Sequence, residues 1–546
     1  MKSDTRTSGQ VSRVWVVGLD GATFDLLIPL MDAGLLPNLA RIRAEGAWGP
    51  LQSTTPPVTA PAWASFMTGV NPGKHGVFDF TVHTEHGLSW ANSRAIRSPT
   101  LWRILSRHGR RVGVVNVPVT YPAEPVNGYL IPGFLTPKNA AQFTYPPQLY
   151  DELASAVGKY TINVKIAGRE KGDEAAVRAL VTEIQDAVAA REVALHYLMD
   201  NYPTDFLMIV WMSLDKIQHV FWKYLDPGSD LYHTPEGARR RELVLPCYEQ
   251  IDDAIGRLLA RADDRTTLLL MSDHGFGTLE KQVDLNRWLA ARGLFRLRKG
   301  QVLLREVRRR LGIQNQALPP LHGGVAADVS KMACIDWDHT HAYCGEISGQ
   351  GIFVNLRGRE PYGIVEPGHH YESVRDRIVE ELSNWREPGT DHPIVDRVYK
   401  REELYTGPHV GNAPDMLVTM RDYSYLLINS VRFAGRGYLR AVDDASGFHR
   451  PQGILMAWGQ QVIPGHEIKR ARIIDLAPTI LHLMDLPVSQ SMDGQVLNAI
   501  WVEDSAAARP VVYRQESDVA VEHMEPVYTT EEAEEVRGRL SDLGYL

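Results

Sequence analysis

Cysteine is nearly missing from this chain: Cys247, Cys334 and Cys344 are the three in 546 residues. So few thiols, so far apart, exclude a disulfide framework and a cysteine-ligated zinc site. Long hydrophobic runs are missing too. No apolar stretch approaches the ~18 residues of a membrane-spanning helix. The first residues, MKSDTRTSGQ, are polar and charged where a secretory leader needs an apolar core, and the run from Val14 to Leu19 stops at Asp20. Nor is there an excess of positive charge. Lys and Arg number 58 against 66 Asp and Glu, a net charge of −8, which argues against a nucleic-acid binder. These absences predict a soluble, cytoplasmic protein with no membrane span.

What is present is a globular composition, 44% hydrophobic and 23% charged. Nearly continuous apolar runs at 14–19, 112–117, 206–212, 267–272, 351–356 and 454–459 read as strands covered on both faces. Helical spacing intervenes at 37–46, 98–109, 249–264 and 371–385. Strand and helix in alternation predict an α/β fold, a central and mostly parallel sheet flanked by helices on both faces. Two stretches interrupt it. Residues 119–170, rich in Pro, Gly and Asn, read as a cap or lid. Residues 294–350 read as a second insertion that opens with the basic segment FRLRKGQVLLREVRRRLG. That segment reads as a solvated helix, with a docking surface for an anionic substrate or membrane as the alternative. The tail YTTEEAEEVRGRLSDLGYL has the chemistry of a helix start and apolar residues that could pack back on the body.

Chemistry-bearing residues gather at the ends of the expected strands. Asp20 follows the first strand, where ligands of parallel sheets bind. In SDHGFG, Asp273 and His274 end another strand, and the glycines allow the turn that lets both face one target. A carboxylate and an imidazole together suit zinc. Asp215 and His219 lie four apart after a third strand, one helical turn from each other. His449 precedes a late strand. Three aspartates and three histidines suffice for two metals with three protein ligands each. Thr59, in TTPPVTAPAWASFMTG, sits at the mouth of a helix with Pro61 in its first turn, and is either a cap or a reagent.

GLDGATFD (18–25), PNLARIRAEGAWG (37–49), TAPAWASFMTGVNPGKHG (59–76), DKIQH (215–219), SDHGFG (272–277) and GFH (447–449) occur here in order. Together they resemble the alkaline phosphatase superfamily, and within it the type I phosphodiesterase/nucleotide pyrophosphatase branch. IDWDHTHAYC (335–344), NLRGREPYGIV (355–365) and APDMLV (413–418) are similar to elements of its bacterial phosphohydrolase/phosphomutase group. The resemblance implies a single catalytic domain over 1–546 with capping insertions. It assigns Asp215, His219 and His449 to one divalent metal and Asp20, Asp273 and His274 to the other, zinc first, with manganese or iron as alternatives. It makes Thr59 the nucleophile, in contact with the metals and giving a phospho-threonine intermediate. The substrate it implies is a small phosphate ester such as a nucleotide, diester or pyrophosphate preferred, with a phosphomonoesterase or a phosphotransferase as alternatives. Three residues beyond Thr59, where the diesterase branch this chain resembles carries an Asn donor, stands Ala62, so the resemblance leaves the phosphate contact to Lys216, to Asn38, or to the metals and backbone N–H groups. Sulfatases use a modified Cys in a C-x-P-x-R setting, which none of the three cysteines here has.

Overall fold

Valine, leucine and isoleucine crowd the strands because both faces of the central sheet are covered. The computed structural model describes residues 13–84, 87–138, 140, 143–158, 160–166, 172–310, 333–345, 351–429, 437–442, 446–515 and 527–542. Its main sheet has eight strands. In chain order they include β1 (Arg13–Leu19), β2 (Ala47–Gln52), β3 (Val112–Val117), β4 (Gly128–Pro132), β5 (Phe206–Trp211) and β6 (Thr266–Met271). A two-stranded ribbon follows, β7 (Gly275–Thr278) with β8 (Gly447–Arg450), before the sheet closes with β9 (Gln452–Trp458) and β10 (His466–Glu467). The spatial order is β10-β2-β9-β6-β1-β5-β3-β4. Only β9 runs against the rest.

The side chains of β1 show how the layers form. Successive residues point to opposite faces. Val14 and Val16 enter one apolar cluster, with Trp63, Phe66 and Met67 of helix α1 (Thr59–Thr68). Trp15, Val17 and Leu19 enter the other, with α2 (Glu174–Asn201), α3 (Ser213–Leu225) and α4 (Pro235–Leu259). The expected α/β architecture is what the chain adopts. The tail helix, Thr530–Asp542, buries Val536 and Leu540 in the first cluster. Among the described residues no helix is long and apolar enough to cross a membrane.

Two details depart from the sequence reading. The run at 351–356 does not join the main sheet. Gly351–Val354 pairs antiparallel with Ala342–Cys344 and Met416–Met420 in a separate four-stranded sheet, which has its own core around Ile352, Val354, Ile378, Met416 and Val418. A short apolar run says that a strand is buried, not which sheet it enters. Within 119–170, β4 is the edge strand of the main sheet, hidden in the sequence by its Pro- and Gly-rich surroundings. Residues 139, 141–142, 159 and 167–170 of that stretch, and 311–332 and 346–350 of the second, lie outside the described residues.

Asp415 anchors the smaller sheet. Arg359 donates to both of its oxygens (2.7 and 2.6 Å), and Tyr371 Oη (2.5 Å) and the Val354 N–H (2.7 Å) donate as well. Burial raises this carboxyl, but Arg359 and the other donors more than reverse that and hold it below the ordinary carboxylate range. A carboxyl depressed in the fold stabilises it above the unfolded-state value, and that stability is lost as pH falls through the depressed one. Asp415→Asn removes the buried charge that Arg359 and Arg401 share, leaving Arg359 with Glu360, and is expected to cost about 1.5–3 kcal/mol. A lower urea midpoint at unchanged m-value is the readout.

Candidate metal centre and active site

Strands β6, β1 and β5 are parallel neighbours, so their carboxyl ends share one edge of the sheet. Asp20 follows β1 directly. Helix α3 starts two residues after β5 and carries Asp215 in its first turn, with His219 one turn on. Asp273 and His274 bridge β6 to β7. β8 pairs with β7 in a register that sets His449 opposite Phe276 and delivers it to the same edge. Helix α1 opens there too, beyond the end of β2, with Thr59 as its first residue.

The six acidic and imidazole side chains form two groups, all fully or almost fully buried. In the first, Asp215 Oδ1 lies 3.3 Å from both His219 Nε2 and His449 Nε2, which are 3.2 Å apart. In the second, His274 Nε2 lies 3.3 Å from Asp273 Oδ2 and 3.8 Å from Asp20 Oδ1. The rings of His274 and His449 stack at 3.5 Å, so the groups adjoin. Thr59 Oγ1 lies 3.4 Å from His274 Nε2. Its hydroxyl is not the helix cap. That position is Val58, which makes no side-chain capping bond.

Hydrogen bonding fixes what these groups present to one another. Pro57 O and Gly275 O can only accept, so His449 Nδ1 and His274 Nδ1, at 2.8 and 3.1 Å, must donate to them. Each Nε2 is then a lone pair aimed at the carboxylates. Asp20 Oδ1, both Asp215 oxygens and Asp273 Oδ2 are buried with no hydrogen-bond donor. Lone pairs facing carboxylate oxygens in a dry site repel unless a cation lies among them. Burial first, then the neighbouring carboxylates, push Asp20 and Asp273 well above the carboxylate range. Burial also raises Asp215, but in the metal-free fold protonated His219 and His449 more than reverse it and leave it low, the charge a cation would supply in their place. Each set of mixed N and O donors fits one divalent cation.

The sequence reading missed the supports. Trp63, one helical turn beyond Thr59, donates its indole N–H to Asp20 Oδ2 at 3.0 Å. Its ring lies against Gly18, where a Cβ would come within 2.6 Å. The signal was there, an indole four residues on from Thr59 and so on the same helix face. Gly21, at φ +69°, donates its N–H to Asp273 Oδ1 at 3.2 Å in a turn that favours glycine. Partners of this kind orient metal ligands. Trp63→Phe is therefore expected to weaken metal affinity about 10–100-fold, measured by competition with a chelating dye.

Of the two expected substrate contacts, one lies by the site. Lys216 is buried beside Asp215, and its ammonium donates to Asn163 Oδ1 and to Val164 O at 3.2 Å. Burial, then Arg191, push it down to about 7, while Asp215 and Asp20 pull it back up. Asn38 is not brought there. Its backbone N–H and its side-chain amide donate to Asp252 Oδ2 of α4 at 3.0 and 2.8 Å. Ala62 is packed in the first apolar cluster.

Solved structures of the same fold include two that carry ligands. Phosphonoacetate hydrolase from Sinorhizobium meliloti, in complex with phosphonoacetate, is 16% identical with a TM-score of 0.52, over 87% of this chain and 95% of that one. Inactive murine ectonucleotide pyrophosphatase / phosphodiesterase 5, in complex with AMP, is 14% identical with a TM-score of 0.50, over 90% and 100%. No curated protein matches the chain significantly. The family model for type I phosphodiesterase / nucleotide pyrophosphatase matches residues 14–430. The chain belongs to that family and is a hydrolase of phosphoric ester bonds.

Proposed function

We propose that the chain cleaves a small phosphate ester, a nucleotide or similar diester or pyrophosphate preferred, by attack of Thr59 on phosphorus. Asp215, His219 and His449 would hold one divalent cation and Asp20, Asp273 and His274 the other, with zinc the first choice for mixed N/O donors. Bound there, the two ions would favour the alkoxide form of a nearby hydroxyl and offset charge on phosphoryl oxygens. The observation that carries the reading is Thr59 Oγ1, unused as a cap and 3.4 Å from a nitrogen of the second group.

The chain's own residues supply the rest. Thr59 Oγ1 bonds to phosphorus as the bond to the departing oxygen breaks, the departing oxygen leaving with that electron pair and the hydroxyl proton, and a phospho-threonine remains. Water then cleaves the Thr59 Oγ1–P bond, restoring the hydroxyl and releasing the phosphate. The opening turn of α1 has backbone N–H groups without intrahelical partners, which favour negative charge at its mouth. Pro61 in that turn forfeits no helical bond. One observation favours the alternative, a phosphomonoesterase or phosphotransferase on the same residues. When protonated, Lys216 has three N–H donors and two acceptors in Asn163 and Val164, which leaves one donor for a further phosphoryl oxygen below its pKa of about 7.

Turnover of bis(p-nitrophenyl) phosphate against p-nitrophenyl phosphate, with metal content measured on the same sample, tests this. Faster diester cleavage is expected with two ions per chain. Faster monoester cleavage moves the assignment to the alternative. No turnover of either, with Thr59→Ala unchanged in every assay, would favour a binding protein and end the proposal.

A further inference from the structure

Helix Lys299–Arg310 buries one apolar side chain and, among the described residues, leaves three others exposed. Val302 is buried in the core of the smaller sheet, while Leu303, Leu304 and Val307 are 66%, 44% and 44% exposed. They are three of the ten large apolar side chains left exposed among the described residues, within five positions of one helix. Positions i, i+1 and i+4 form one stripe. The same helix carries Lys299, Arg305, Arg308, Arg309 and Arg310 against the single acid Glu306. Arg296 and Arg298 precede it, each near an aspartate, Asp336 at 3.5 Å and Asp338 at 3.9 Å. A chain of net charge −8 thus concentrates cations where it also exposes leucine and valine.

We propose that this helix docks the enzyme on an anionic lipid surface, lying in the headgroup layer with Leu303, Leu304 and Val307 inserted and the net positive charge of its sequence attracting the anionic headgroups. The pairing of features selects that partner. A free phosphate would use the arginines and leave the leucines in water. A nucleic acid backbone would likewise use the arginines and leave the leucines in water, and the helix offers no aromatic side chain on which bases could stack. An apolar stripe with cations along the same helix is the pattern of an interfacial helix, held by buried apolar area and by attraction to anionic headgroups. The inference does not depend on the chemistry assigned to the metal centre.

Co-sedimentation of the full chain with phosphatidylcholine vesicles, with and without phosphatidylserine, tests it. The protein is expected to pellet with the anionic vesicles, to stay in solution with the neutral ones, and to be released by salt. Replacing Arg308, Arg309 and Arg310 with Gln should weaken binding about 100-fold. Replacing Leu303, Leu304 and Val307 with Ser should weaken it about tenfold or more. Circular dichroism spectra and thermal melts matching the wild type show that both variants are folded. No pelleting with anionic vesicles, or pelleting that neither variant reduces, overturns the proposal. So does a dimer seen by light scattering that the serine variant dissolves, which would assign the stripe to a second copy.

Discussion

Thr59→Ala is expected to lower kcat by on the order of 10^4-fold while both ions stay bound, since losing a nucleophile from an intact site has effects of that size. That is about 5.5 kcal/mol of transition-state stabilisation. The rival reading, a helix cap, makes a different forecast: little change in turnover and about 1 kcal/mol less stability. The geometry favours the first. Val58 occupies the cap position without a side-chain bond, and the Thr59 hydroxyl faces His274 instead. Thr59→Ser keeps the oxygen and should retain most of the activity. Rapid-quench detection of phosphate on the wild-type chain and none on the alanine variant would complete the case. A loss under tenfold, with metal content unchanged, sinks the nucleophile.

Much of this site could be read before any coordinates because parallel strands place their carboxyl ends on one edge. Asp20, Asp215, Asp273 and His274 each follow an apolar run, and those runs are β1, β5 and β6, three neighbours in the sheet. The Asp215–His219 spacing needed only the helical period. His449 was harder. Its place depends on β8 pairing with β7, a contact between segments about 170 residues apart that no local pattern announces. Asn38 illustrates the opposite case. A polar side chain at a helix start looks available for a ligand, and here Asp252 from a distant helix accepts from both its side-chain amide and its backbone N–H. Trp63 was legible as a position and not as a role, because a tryptophan in an apolar helix reads as core until its indole N–H is traced to Asp20. The smaller sheet was missed for a related reason. Gly351–Val354 has the composition of a central strand, and its pairing partners decide otherwise.

Removing the cations is expected to abolish turnover and to change how stability depends on pH. In the metal-free fold, burial and mutual repulsion hold Asp20 and Asp273 well above the carboxylate range. A carboxyl raised in the folded state binds its proton more tightly folded than unfolded. Those two carboxyls should therefore cost the metal-free protein stability as pH rises from about 4, the unfolded-state value, toward the raised one, against a gain from the depressed His274 and His449 imidazoles that is complete by about pH 6.5. A bound cation favours the ionised carboxylate, so the loaded protein should lack that loss and gain about 4 kcal/mol per site when free ion exceeds Kd a thousandfold. Thermal melts of chelated and reloaded protein across pH 4 to about 8 should diverge steadily. His449→Ala breaks only the first group and should leave one ion per chain by elemental analysis, with the second group still able to bind. Asp273→Asn should do the converse. Each variant should be as inactive as chelated protein, because Thr59 faces one group while the stacked rings of His274 and His449 tie it to the other. If chelation changes neither the melts nor the turnover, the buried unpaired carboxylate oxygens have some partner other than a cation, and the two-ion assignment fails with them.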